Sequence, residues 1–80
     1  MYVAVELSLY PLADEFIPPI LDFIERLRVR PGLAVVTNSM STQVSGEFEA
    51  VFDALRAEMG RSFEHNRRAV FVMKVLGGGD

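Results

Sequence analysis

Two stretches of this chain, residues 14–29 and 47–63, repeat apolar residues at helical spacing, and each is bracketed by segments that read as strands. In the first, Phe16, Ile20, Phe23, Ile24 and Leu27 form the stripe, with Asp22, Glu25, Arg26 and Arg28 between them. In the second the stripe is Phe48, Val51, Phe52, Leu55, Met59 and Phe63. Residues 2–10 alternate, with Val3, Val5, Leu7 and Leu9 on one face and Tyr2, Ala4, Glu6, Ser8 and Tyr10 on the other. Residues 33–38 and 40–45 read as two more strands, joined by a link so short that they should form a hairpin or a sharply kinked pair. Residues 68–76 read as the last strand.

The order is therefore β-α-β-β-α-β, two strand–helix–strand units in succession. Right-handed crossovers leave one dominant arrangement, an α+β sandwich of the ferredoxin-like class. It has a four-stranded antiparallel sheet of order 4-1-3-2 with both helices on one face. Eighty residues make one domain, expected over 1–76, with "GGGD" at 77–80 as a flexible tail. Three local features shape the ends of these elements. Pro11 is expected to stop the first strand, and Asp14 is placed to cap the first helix. Pro18-Pro19 leaves two starts open: a distorted first turn, or a turn over 14–17 with the regular helix beginning near Pro18.

Half of the residues are hydrophobic, which is more than so small an interior can hold. The last strand is apolar on both faces, with Val70 and Val72 on one and Phe71, Met73 and Val75 on the other. A sheet with helices on one side then leaves greasy surface on the other. This predicts a homodimer or homotetramer through the open sheet face or the edge strands.

The net charge is −3, and the basic residues are scattered apart from Arg26, Arg28 and Arg30. No basic stripe is available for nucleic acid. There is no cysteine, hence no disulfide framework and no thiolate nucleophile. No apolar run is long enough for membrane insertion and no leader pattern opens the chain, so a cytoplasmic protein is expected. The residues also give catalysis little to work with. The single histidine, His65, falls at the expected end of the second helix and reads as a partner for its dipole. No metal-ligand spacing or phosphate loop is present, so neither a metal nor a cofactor is expected. The chain is expected not to be an enzyme.

One composition anomaly remains. Five of the seven Ser and Thr residues lie between Thr37 and Ser45, in "NSMSTQVSG" and the residue before it, and no charged residue occurs from Pro31 through Gly46. Neutral donors and acceptors gathered this way suit either a polar hairpin that satisfies itself or the wall of a small-molecule site. In the predicted sheet the first and third strands are neighbours, which brings Ser8 and Tyr10 beside this segment. The candidate ligand-binding residues are Ser8, Tyr10, Asn38, Ser39, Ser41 and Thr42.

"LSLYPLADEF", an amphipathic helix and then "TNSMSTQVSGEFEAVFDAL" resemble the YkoF-type family of thiamine- or hydroxymethylpyrimidine-binding proteins. The resemblance is carried by Ser8, Tyr10, Pro11 and Asp14, by Ser41, Thr42, Val44 and Gly46, and by Val51, Phe52 and Asp53. It implies a non-catalytic binder of the vitamin or its pyrimidine part, serving uptake or salvage, assembled with sheets packed together. On that reading Asn38, Ser39, Ser41 and Thr42 meet the edge of a thiamine-like pyrimidine. Tyr10 offers a ring, and Glu6 or Asp14 a negative charge for the thiazolium. The alternative is an oligomeric interaction or scaffold domain that acts through its apolar sheet face and takes no small ligand.

Overall fold

The computed structural model describes residues 1–66 and 68–78. The elements follow the expected order: β1 Tyr2–Pro11, α1 Ile17–Arg28, β2 Ala34–Thr37, β3 Thr42–Glu47, α2 Phe48–His65 and β4 Ala69–Gly77. The sheet runs β2-β3-β1-β4 with every neighbouring pair antiparallel. This is the ferredoxin-like arrangement predicted from the pattern.

Alternation in β1 does what it should. Val3, Val5, Leu7 and Leu9 are buried and meet Phe23 and Leu27 of α1 and Val51, Ala54 and Leu55 of α2. Val44 of β3 completes this core. By register Ala4, Glu6, Ser8 and Tyr10 lie opposite Leu76, Lys74, Val72 and Val70, and these define the open face. Val70, Val72 and Leu76 are exposed there. Met73 and Val75, opposite Leu7 and Val5, belong to the helix side but are exposed as well.

Pro11 does not stop β1; it pairs with Ala69. A proline is tolerated in a strand where its missing N–H costs no ladder bond. Here Leu12 donates its N–H to Arg68 of the β4 side at 3.0 Å, so the proline's nitrogen points the other way. On that side β1 has no strand partner beyond Leu7. The two prolines of α1 resolve as the later of the two starts. The helix begins at Ile17, with both prolines in its first turn, where unpaired N–H groups are the rule. Its N-cap is Phe16 without a side-chain bond, so Asp14 is not the cap.

Two expectations shift. Glu47 ends β3 rather than opening α2. The buried stripe of α2 is Val51, Ala54, Leu55, Glu58 and Ser62, while Phe48, Phe52 and Met59 flank the core and Phe63 is exposed. The helix is rotated because Glu58 and Ser62 turn inward to receive Arg26. At the far end Gly77 closes β4 and the Gly78 N–H donates to the Tyr2 carbonyl at 3.0 Å. Of the tail expected at 77–80, residues 79 and 80 lie outside the described residues.

Candidate functional site

The hairpin between β2 and β3 is built by one side chain. Asn38 donates its N–H to the Ser41 carbonyl at 3.0 Å. Its Oδ1 accepts the N–H groups of Met40 and Ser41 at 2.8 and 2.9 Å. That is an Asx turn, the local use for which asparagine suits loops. It closes a four-residue loop over 38–41 and delays β3 until Thr42. At the loop's base the hydroxyls of Thr37 and Thr42 lie 3.0 Å apart. Ser8 donates its hydroxyl to the Met40 carbonyl at 3.2 Å, and Ser41 donates its own to Glu6 Oε2 at 3.1 Å.

Between this loop, the end of β1 and the first turns of α1 lies a cavity of about 210 Å³. All six candidate residues, Ser8, Tyr10, Asn38, Ser39, Ser41 and Thr42, border it. Its opposite wall is Ile20, Phe23 and Ile24 of α1, with Leu7 and Leu9 of β1 beneath. Most of these neutral polar groups are already engaged: Ser8 and Asn38 bond the main chain, Thr42 bonds Thr37, and Ser41 bonds Glu6. A hydroxyl that donates one bond keeps lone pairs to accept others, and in the Thr37–Thr42 pair one hydroxyl hydrogen remains to be donated.

Strand alternation distributes the side chains unevenly. Thr42 pairs with both Leu7 and Thr37, which places both threonines on the helix side with the cavity. Tyr10 lies opposite Val70 and its side chain follows the open face, where it is exposed. The flat apolar wall is supplied instead by the buried Phe23 ring, which packs on Phe71 at a centroid distance of 4.9 Å. Phe23 was legible only as a core residue, since nothing in its spacing separates a core aromatic from a pocket wall.

Among the described residues, no charged residue borders the cavity. Glu6 turns to the open face and pairs with Lys74 Nζ at 3.3 Å. Asp14 sits exposed in the bend before α1. The charges are concentrated elsewhere, between the helices, where Glu58 holds Arg26 and Arg30. His65 closes α2, its Nδ1 2.8 Å from the Arg61 carbonyl oxygen. Among the described residues no group of three or more acidic or histidine side chains is placed to hold a metal. Nor is any helix there long and apolar enough to cross a membrane. A small, uncharged cleft with one hydrogen-bonding wall and one aromatic wall can hold a flat neutral heterocycle. Its volume falls below the roughly 300–1,000 Å³ typical of drug-sized ligands, which limits it to about one ring.

The sequence matches the model of the YKOF-related family over residues 2–75. No curated protein matches it. Among solved structures, a protein of Streptococcus pneumoniae superposes with a TM-score of 0.90 at 20% identity, covering 98% of this chain and 88% of that one. A Thermotoga maritima protein, for which a role in thiamine biosynthesis or salvage has been suggested, superposes at 0.83 with 21% identity, covering 94% and 82%. A hypothetical protein of Methanocaldococcus jannascii does so at 0.83 with 23% identity, covering 99% and 82%. At these identities the structures speak for the fold alone.

Proposed function

Because the chain belongs to the YkoF-related family, we propose that it is a non-catalytic small-molecule binding protein for thiamine or its hydroxymethylpyrimidine moiety, acting in the cytoplasm in uptake or salvage of the vitamin. The observation that carries this reading is the cavity at the β2–β3 turn, with its uncharged polar wall facing the Phe23 ring. An aminopyrimidine needs donors and acceptors around its edge and an apolar surface against its face, and burying it beside neutral groups avoids the desolvation cost of full charges. The suggested thiamine-related role of the Thermotoga maritima protein points the same way.

Calorimetric titration with thiamine and with hydroxymethylpyrimidine tests it. Submillimolar binding is expected for at least one of them. Asn38→Ala removes the oxygen that holds two loop amides, and Thr42→Val removes one hydroxyl of the polar wall. Each is expected to weaken binding by about tenfold, the equivalent of one well-placed hydrogen bond. No heat and no thermal shift at millimolar ligand would overturn the reading. Binding that is unaltered in both variants would place the ligand away from the β2–β3 turn, and the absence of binding in the unaltered protein would favour the scaffold alternative.

The same reading assigns the open sheet face to further copies of the chain, as a homodimer or homotetramer. Its support is the exposure of Val70, Val72 and Leu76, at 44%, 55% and 62%, on one side of a strand. Light scattering at micromolar concentration is expected to return a multiple of the 8.9 kDa chain mass, reduced in Val72→Glu. A mass of one chain for the unaltered protein removes the assembly.

A further inference from the structure

Main-chain direction along β1 singles out one residue. The Tyr2 carbonyl accepts from Gly78 and the Leu12 N–H donates to Arg68, both toward β4 at 3.0 Å. Successive residues of a strand point their N–H and C=O groups to opposite edges. Even-numbered residues of β1 therefore serve β4, and odd-numbered ones serve β3. The Met1 carbonyl accordingly accepts from Phe48 at 2.8 Å, on the β3 side. Val3, Val5 and Leu7 follow, opposite Gly46, Val44 and Thr42.

The next in that series is Leu9, and continuation would put it opposite Met40. The pairing stops at Leu7 and Thr42. Met40 has turned away, because its N–H is held by Asn38 Oδ1 at 2.8 Å and its carbonyl accepts from the Ser8 hydroxyl at 3.2 Å. The N–H and C=O of Leu9 are thus left facing the cavity that Leu9 borders, with no main-chain partner across the gap among the described residues. Leu9 is only 7% exposed. Buried main-chain groups are almost always paired, and leaving one unpaired is costly.

We propose that the Leu9 main chain is the recognition element of this site, its N–H donating to a ring nitrogen of the ligand and its C=O accepting from an adjacent exocyclic amino group. This rests on the binding function proposed above and names the chemical edge that the site reads. In an extended residue the two groups lie side by side and point the same way. They match a heterocycle that carries an acceptor next to a donor, as a strand edge matches an incoming strand. Thiamine and hydroxymethylpyrimidine both carry that edge on their aminopyrimidine ring. The Asx turn at Asn38 is what makes the site, because a tighter hairpin would let β3 continue and consume Leu9.

The test uses the ¹⁵N-labelled protein and hydroxymethylpyrimidine, with calorimetry in parallel. On saturation the Leu9 amide proton is expected to move downfield more than those of its neighbours in β1, and its hydrogen exchange to slow. The 4-methoxy analogue keeps the ring nitrogen and loses the donor, and it is expected to bind about tenfold more weakly, as for one lost hydrogen bond. Calorimetric binding with an unmoved Leu9 amide, or equal affinity for the methoxy analogue, overturns this assignment and leaves the proposed function standing. Absence of any heat with hydroxymethylpyrimidine or thiamine removes both.

Discussion

Glu58→Ala is expected to lower the stability of the protein by about 3–5 kcal/mol, the range for breaking a buried ion pair by removing one partner. The Glu58 side chain is 5% exposed and that of Arg26 17%. Arg26 donates to Glu58 Oε1 at 2.7 Å, to the Glu58 carbonyl at 3.0 Å and to Ser62 Oγ at 2.9 Å. Arg30 adds a bond to Oε2 at 2.9 Å. Without the carboxylate, the Arg26 guanidinium stays between the two helices with only the exposed Asp22, 3.1 Å from its Nε, to balance it. For a chain of this length that loss is a large fraction of the whole stability. Urea unfolding at pH 7 measures it, and Glu58→Gln, which keeps the shape and one acceptor, gives a smaller loss should the alanine variant not fold. A loss below about 1 kcal/mol would place the pair among surface ion pairs instead.

The same group sets an acid limb. Burial acts to raise the Glu58 pKa, but the hydrogen bonds and charges of Arg26 and Arg30 prevail and hold it below its ordinary 4.5. A carboxylate with a depressed folded pKa contributes stability that is complete above the unfolded value. That stability disappears as the pH falls through the folded one. Unfolding free energy is therefore expected to decline as the pH drops below 4.5, and to decline less steeply in Glu58→Gln.

Phe23→Ala is expected to cost about 3–5 kcal/mol as well, through lost burial and the void left behind. The ring is 2% exposed and packs on Phe71, which in turn meets Phe63 edge-on at 5.5 Å. Because Phe23 also walls the cavity, stability and ligand binding are coupled at this one residue. Phe23→Leu separates them. It keeps most of the apolar volume, so the protein stays folded by circular dichroism, while the flat face is gone. Titration with hydroxymethylpyrimidine is then expected to show weaker binding in a folded protein. Full affinity in Phe23→Leu would mean that the ring serves the core alone.

Several elements could be read from residue spacing because they rest on local periodicity. Val3, Val5, Leu7 and Leu9 face the core as their alternation requires, and α1 and α2 form where apolar residues recur at helical intervals. The β-α-β-β-α-β order then left one sheet topology. The neutral cluster around "NSMSTQVSG" was legible as a candidate site, and its residues do meet one cavity. The edges were less legible. A strand expected from residue 40 begins at Thr42, because Asn38 closes its turn over Met40 and Ser41. Glu58 stood outside every sequence reading, and only the fold places it against Arg26, 32 residues earlier. A carboxylate three residues after Leu55, on a face also holding Val51 and Ser62, was the available signal.

Periodicity, turn chemistry and the order of elements thus determined the sheet, the side of it that the helices cover and the segment that forms the polar wall. These follow from interactions between residues close in sequence, or from the few ways such elements can pack. Tertiary structure alone decided that the Phe23 ring borders the cavity, and that Glu58 turns inward to two arginines. It also decided that the Leu9 main chain is left facing the cavity. Each depends on which residue distant in the chain arrives opposite, and on where a ladder of hydrogen bonds stops. Neither is encoded in the spacing of the residues themselves.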